Sequence, residues 1–421
     1  MKTIYSAPRG TNDILPEDYE IWQYVIDIAI KTSEKFGFLR IQTPTFENIE
    51  LFKRSVGDST DIVQKEMFAF KDSKGRQLAL RPEGTAAVVR ATIQHGLLNS
   101  SLPLKIFYIM NFFRNERPQT GRYKEFYQFG VELFGARSAI AEFEIISLAY
   151  SFFNELNIKN LSLYINSIGC QNCRKNYIYS LTKYFESYKE KICENCKNRL
   201  YNNPLRLLDC KEEQCEKFKL NAPNILDYIC ADCKTHFNTL CNFLNLNNIP
   251  YVVNQYIVRG LDYYTRTVFE FVTNNLGAQN AVCGGGRYDN LIEKLGAPST
   301  PAVGFGVGLN RLILLLKNQI NINSKTPHIY IGATDEESLY KVSTIATNLR
   351  ARNILTQIDL MNRSVKSQMK YANKIKAKFS CIIGNNELTN NSVNVKNMNS
   401  EENFNISLQR FAEEFEKILK T

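Results

Sequence analysis

The chain has 421 residues and 52 basic against 42 acidic side chains, a formal charge of +10; at roughly 100–200 residues per domain this means two to four domains. With 44% hydrophobic and 22% charged residues, wholesale disorder is excluded, and no apolar run reaches the roughly 18 residues of a transmembrane helix. The stretch from Met1 to Asp13 lacks the apolar core of a secretory signal, so a soluble cytoplasmic protein is expected, and the charge excess suits a polyanionic partner.

In chain order, Trp22, Val25, Ile26, Ala29 and Ile30 recur at helical spacing behind Pro16, which predicts an amphipathic helix. Leu39–Pro44 reads as a strand broken by Pro44, suited to a sheet edge. Lys105–Asn115 and Phe126–Phe134, with Pro118 and Gly121 between them, predict an antiparallel hairpin. Residues 167–247 read as helical and lysine-rich. Strand character returns at Tyr251–Val258 and Tyr263–Val272, and seven of the 21 glycines then fall between Gly284 and Gly308. Leu309, Leu312, Ile313 and Leu316 predict a helix with Arg311 in its first turn. Lys317–Pro327, with Asn318, Asn321, Asn323 and Ser324, reads as a linker. Beyond it His328–Ala333, Glu336–Arg350, Leu355–Asp359 and Ser380–Gly384 alternate strand and helix, as a small α/β domain does. No internal repeat is evident.

Nine of the 11 cysteines lie between Cys170 and Cys241. Eight form close pairs: Cys170 with Cys173, Cys193 with Cys196, Cys210 with Cys215 and Cys230 with Cys233. In a cytoplasmic protein such pairs read as ligands of tetrahedral zinc, in one four-cysteine site or in two, or else as unmetallated thiols. Between Lys341 and Lys378 nine basic residues face one acid, Asp359; alone, that is a solvated surface or a polyanion-binding face.

On the second hairpin strand, alternation puts Phe126, Gln128, Gly130 and Glu132 on one face and Tyr127, Phe129, Val131 and Leu133 on the other. Arg114 and Glu116 share a face on the partner strand. No nucleotide-binding glycine loop of the usual kinds is present, and Gly304, Gly306 and Gly308 read as close backbone packing. With only His95, His236 and His328, a histidine-dependent hydrolase is not expected and each histidine reads as structural. Arg81, Arg114, Arg122, Arg259, Arg287 and Arg311 instead fit charge stabilisation in phosphoryl chemistry.

Phe113-Arg114-Asn115-Glu116-Arg117-Pro118, followed by Gly121-Arg122-Tyr123 and Phe126, resembles motif 2 of class II aminoacyl-tRNA synthetases. Gly304–Leu312 resembles their motif 3, and the opening helix with the Pro44 strand their motif 1, the dimer interface. Val258–Thr265 and Gly284-Gly285-Gly286-Arg287-Tyr288-Asp289 are similar to the two signature peptides of the histidyl-tRNA synthetase family; Arg9–Asp13 and Leu80–Thr85 match it as well. The resemblance covers essentially the whole chain.

It implies an α/β (α+β) architecture: an antiparallel-sheet catalytic domain in two parts, 1–166 and 248–322, a cysteine-rich helical insertion, 167–247, and a C-terminal α/β anticodon-binding domain, 328–421. It implies a homodimer that activates histidine with ATP and Mg2+, releases pyrophosphate, and transfers histidine to its tRNA. The histidine carboxylate is the nucleophile, already ionised, so no catalytic histidine is needed. By the same resemblance Arg114 holds the α-phosphate and Arg259 stabilises charge there. Glu116 and Phe126 hold the adenine, and Arg122 and Arg311 the outer phosphates. Glu83, Gly84, Thr85 and Gln128 bind the amino side of histidine. Glu132 and Tyr264 grip the imidazole, with Tyr263 and Tyr288 lining the pocket. A site pairing both ring nitrogens discriminates by about 10⁴–10⁵ without editing. The basic 341–378 stretch then suits the anticodon stem-loop. The insertion, 12 basic against 9 acidic residues over 170–245, suits the acceptor stem. Two other classes are weighed: a non-catalytic regulatory subunit of histidine biosynthesis, whose kind typically lacks the Arg259–Tyr264 peptide and the C-terminal domain, both present here, and a zinc-dependent nucleic-acid-binding protein, which leaves the arginine and glycine peptides unexplained.

Overall fold

The computed structural model describes residues 4–57, 60–273, 281–317, 319–320 and 325–420. Its chain forms two compact units, Met1–Ile322 and Asn323–Thr421. Asn318, Asn321, Asn323 and Ser324 of the expected linker lie outside the described residues, as do Met1, Lys2 and Thr3.

The first unit opens with helix α1 (Pro16–Lys35), whose start is set by Pro16 with Glu17 and Asp18 in the first turn, where the helix dipole favours acid. Its inward stripe is Ile21, Trp22, Val25 and Ala29. Strand β1 (Leu39–Arg40) follows, shorter than expected because Pro44 soon removes a ladder donor. A small three-stranded sheet is made by β2 (Phe46–Asn48), β3 (Ala69–Lys71) and β4 (Gln77–Leu80) in the order β2-β4-β3, with α2 (Ile49–Val56) between the first two. After α3 (Thr85–Gln94) come the predicted hairpin strands, β5 (Leu104–Phe113) and β6 (Glu125–Phe134), paired over all ten residues from Leu104↔Phe134 to Phe113↔Glu125.

Helix α4 (Ile140–Glu155) and β7 (Leu161–Ser167) lead into four helices: α5 (Gln171–Glu186), α6 (Glu194–Asn202), α7 (Glu213–Lys219) and α8 (Ala231–Leu246). The chain returns through β8 (Val252–Val253), β9 (Thr265–Thr273), β10 (Ala281–Arg287), α9 (Leu291–Lys294), β11 (Ala302–Gly308) and α10 (Leu309–Leu316). The strand expected over Tyr251–Val258 is only two residues long. An Asx turn at Asn254, whose Oδ1 accepts the Tyr256 N–H at 3.0 Å, ends it. The large sheet runs β1-β5-β6-β11-β10-β9-β7-β8, antiparallel except at its two edge pairs.

The side-chain alternation of β6 decides the layering. Phe129, Val131 and Leu133 enter one apolar core with Trp22 and Val25 of α1, Ile145 and Phe152 of α4, Leu240 of α8 and Leu312 of α10. Each fully buried side chain of this kind contributes about 1.5–3 kcal/mol. The opposite face of the sheet, bearing Phe126, Gln128 and Glu132, is left for the site. A second core joins Ile106, Tyr108 and Phe112 of β5 to Tyr177, Leu181, Leu200 and Leu207 from the cysteine-bearing segment.

The second unit is a five-stranded sheet, β13-β12-β14-β15-β16, formed by β12 (Ile329–Ala333), β13 (Thr356–Ile358), β14 (Phe379–Ile383), β15 (Ser392–Asn397) and β16 (Asn403–Ser407). The first three are parallel and the last two form an antiparallel hairpin. Its helices are α11 (Glu336–Ala351), α12 (Val365–Lys374), α13 (Asn385–Asn390) and α14 (Phe411–Lys420). The predicted strand–helix alternation is present; the β15–β16 hairpin and the last three helices are additions to it.

Candidate active site

Glu132 is buried in the first unit, 1% exposed. It stands on β6 opposite Ile106 and Gly304, and a Cβ on Gly304 would collide with its carboxylate. That is why glycine is needed there. Glu132 Oε1 accepts from Thr85 Oγ1 at 2.8 Å and from Tyr108 OH at 3.3 Å, while Tyr288 OH donates to Oε2. Burial pushes the Glu132 carboxyl up to about 8, against the pull of the hydrogen bonds from Tyr288 and Thr85. Beside it, buried Glu83 accepts the backbone N–H groups of Thr85 (2.8 Å) and Ala86 (2.9 Å) at the start of α3; burial raises its carboxyl too. Tyr263 packs against Tyr264 and Tyr288, with ring centroids 4.7 and 5.5 Å away.

A raised carboxyl has a consequence for stability. The folded state keeps a proton on Glu132 up to about pH 8, whereas the unfolded chain loses it near 4.5. The group therefore stabilises fully below 4.5, and that contribution declines as pH rises to 8. Glu132→Gln cannot titrate, so the stability difference between wild type and variant should fall across this window and level off above it. Urea unfolding from pH 4 to 9 checks this; a constant difference would show that Glu132 is ionised in the folded protein.

Beside this cluster lies a cleft of about 550 Å³ lined by Arg114, Arg122, Arg259 and Arg311 together with Phe126 and Gln128. Arg259 pairs with Glu270 of β9 and its guanidinium lies 5.7 Å from the Tyr264 ring centroid. A Cβ on Gly284 would strike that guanidinium, which explains how the glycine peptide and the Arg259 peptide belong to one structure. Burial pulls the Arg259 pKa down, but Glu270 and Tyr264 carry it above the ordinary value. Arg114 donates from Nε to Pro82 O at 2.8 Å and lies 5.3 Å from the Phe126 ring. Glu116 takes Arg122 and stands 3.6 Å from Arg114. Arg311 donates to Gly121 O (3.2 Å) and Ala281 O (3.0 Å). Four arginines along one cleft with an aromatic ring beside them can hold a nucleoside polyphosphate.

Two of the six arginines read as phosphate binders do something else. Arg81 is buried and donates to Thr43 O at 2.7 Å and Asn111 O at 2.8 Å, tying β5 to the loop after β1. Arg287 is 0% exposed and sits between Glu142 and the carbonyls of Ala136 and Ser138. His236 Nε2 donates to Glu142 Oε1, 2.5 Å away, so this histidine is structural, as expected.

Sequence reading did not single out Tyr108, Glu270, Asp61, Arg199 or Arg206. The last two come from the cysteine-bearing segment and reach the cleft wall, where both meet Asp61, at 2.8 Å from Arg206 and 3.6 Å from Arg199. No periodicity marks them. The eight paired cysteines converge into two quartets, Cys170, Cys173, Cys230 and Cys233, and Cys193, Cys196, Cys210 and Cys215; in each, the sulfurs lie within 4.8 Å of one another. Cys241 stands outside both.

In the second unit the basic stretch is not one face. Arg352 is taken by Glu416 at 2.8 Å and Arg363 by Asp359 at 2.6 Å. Lys366, Lys370 and Lys374 line one exposed side of α12 and have no ion-pair partner among the described residues.

A family model described as histidyl-tRNA synthetase matches residues 10–172 and 209–312, and one described as an anticodon binding domain matches residues 320–418. A histidine–tRNA ligase of Caldicellulosiruptor saccharolyticus is 48% identical over 394 residues, 93% of this chain and 94% of its own. That of Clostridium novyi is 47% identical over 416 residues, 98% of this chain and 99% of its own. The crystal structure of apo S. aureus histidyl-tRNA synthetase is 34% identical and superposes with a TM-score of 0.83, covering 98% of this chain and 100% of that one.

Proposed function

The chain belongs to the histidyl-tRNA synthetase family, and from that membership we propose how it works as a histidine–tRNA ligase. The observation that carries the reading is the buried Glu132 cluster joined, through Tyr264 beneath Arg259, to a cleft lined by four arginines. Histidine enters with its imidazole toward Glu132 and Tyr264, exchanging the hydrogen bonds that Thr85 and Tyr288 now make there for bonds to the ring. Tyr263 and Tyr288 wall the ring, and Glu83, Gly84, Thr85 and Gln128 receive its amino side. ATP lies in the cleft, its adenine on Phe126 beside Glu116 and its outer phosphates toward Arg122 and Arg311.

The histidine carboxylate attacks the α-phosphorus in line and pyrophosphate leaves. Arg114 and Arg259 are the catalytic residues, aimed at the charge that builds on the α-phosphate oxygens. The terminal ribose hydroxyl of the tRNA then attacks the adenylate's carbonyl, the acyl–phosphate bond breaks, and AMP leaves. Magnesium bound with ATP would neutralise charge on the outer phosphates. The second unit reads the anticodon stem-loop, with the α12 lysines as its phosphate contacts. Pairing as a homodimer through the edge strands β1 and β2 is supported by the exposure of Leu39 (69%) and Phe46 (51%). No helix among the described residues is long and apolar enough to cross a membrane.

ATP–pyrophosphate exchange with each of the twenty amino acids, without tRNA, tests this. Exchange with histidine alone is expected. Exchange with another amino acid would overturn the pocket assignment, and none from folded protein would overturn the ligase reading.

A further inference from the structure

The two cysteine quartets differ in what they hold. In one, Cys170 and Cys230 are the N-caps of α5 and α8, and Cys173 and Cys233 follow in the first turns. In the other, Cys193 is the N-cap of α6, Cys196 follows in its first turn, and Cys215 lies in α7. Helix N-termini favour thiolates through their dipole. Four sulfurs about 2.3 Å from a central zinc stand about 3.8 Å from one another at the corners of a tetrahedron. The measured separations are 3.5 Å for Cys170–Cys173, 4.0 Å for Cys173–Cys233 and 3.8 Å for Cys193–Cys210. A disulfide requires about 2.05 Å. Backbone N–H groups point at the sulfurs as well, from Cys230 to Cys173 Sγ (3.1 Å) and from Cys193 to Cys215 Sγ (3.2 Å).

Four thiolates around a divalent ion leave two negative charges, and cations stand near both quartets. Buried Lys219 donates from Nζ to Cys210 O at 2.5 Å, and Arg174 is in electrostatic reach of Cys170. An all-thiolate tetrahedral set selects zinc over magnesium or calcium.

The chain between Cys196 and Cys210 is anchored at both ends by the second quartet, and it carries Arg199, Asn203, Arg206 and Asp209. Arg206 and Arg199 reach Asp61, and Asn203 Nδ2 donates to Asp262 Oδ1 at 2.9 Å, close after the Arg259 peptide begins. Arg199, Arg206 and Lys211 line the cleft together with Asp61 and Asp209, three cations against two carboxylates. That excess faces the space already lined by Arg114, Arg259 and Arg311.

We propose that each quartet binds one zinc ion, and that the zinc on Cys193, Cys196, Cys210 and Cys215 holds Arg199 and Arg206 at the cleft as positioning and binding groups for the polyphosphate of ATP. The second half of this statement rests on the ligase reading; the first does not.

Zinc content by mass spectrometry, on chain purified without added metal or chelator, should be two equivalents; one or fewer overturns the pair of sites. Cobalt substitution should give the intense thiolate-to-metal bands of a four-sulfur site, and their absence would overturn the ligand set. Arg206→Ala should keep two zinc ions and raise the KM for ATP in pyrophosphate exchange about 10-fold, the scale of one charged hydrogen bond, with kcat little changed. The pair Cys196→Ser with Cys210→Ser should fall to one zinc and show the same KM change. Cys196→His, which preserves a tetrahedral ligand set, should restore both. Cys241→Ser should leave metal and kinetics as they are. An unaltered KM for ATP in Arg206→Ala overturns the role at the cleft, and does so even where the double cysteine variant does not fold. If the wild-type protein binds two zinc ions but supports no exchange, the ligase reading has failed and the metal sites stand.

Discussion

Arg259→Ala is expected to lower histidine-dependent pyrophosphate exchange by at least about 10²-fold, the usual loss when one preorganised charge stabiliser is removed. The guanidinium is already aligned by Glu270 and by the space that Gly284 leaves, so no reorganisation is needed as charge builds on the phosphate. Truncation removes the charge and also leaves the Glu270 carboxylate unpaired beside it. Arg259→Lys should recover only part of the rate, because a lysine presents a point charge where the arginine presents a planar fork. The effect should appear in kcat with the unfolding midpoint close to wild type. Near-normal exchange in the alanine variant would remove Arg259 from the chemistry.

Arg287→Ala should act on the fold instead. Arg287 and Glu142 are both fully withdrawn from water, and Glu142 is held down to about 2, where burial raises it but the bonds from Arg287 and His236 prevail. Breaking such a pair costs about 3–5 kcal/mol, because one charge is left buried without its partner. Guanidinium unfolding should show a loss of that size. Replacing both, as Arg287→Met with Glu142→Leu, should recover much of it, since the cost lies in the stranded charge. A loss below about 1 kcal/mol in Arg287→Ala would mean that Glu142 finds another partner or takes up a proton. The same arginine adjoins Tyr288 of the pocket, so one peptide supplies both a fold contact and a site residue.

The sequence alone carried the linear features. The hairpin of Leu104–Phe113 and Glu125–Phe134, the polar face of its second strand, the helix at Pro16, the strand–helix alternation after residue 328 and the family peptides were all legible there. Each depends on a period of 2 or 3.6 or on contiguous residues, which local backbone geometry imposes whatever the rest of the chain does. Periodicity also told which side of a strand is polar, and so put Glu132 beside Gln128.

What a side chain on that face touches was decided elsewhere. Arg81, Arg259 and Arg287 look alike as letters in motif-like strings, yet one meets main-chain carbonyls, one faces the cleft and one is sealed against Glu142. The difference is burial, which appears only when the sheet and α4 pack. The cysteines show the same limit: spacing marks four pairs, and only the approach of the N-termini of α5 and α8 joins Cys170 and Cys173 to Cys230 and Cys233. Asp61 and Arg206 are 145 positions apart. No local pattern links residues so distant; their meeting at the cleft is fixed by tertiary packing, because contacts across such separations form only once the cores on either side exclude water.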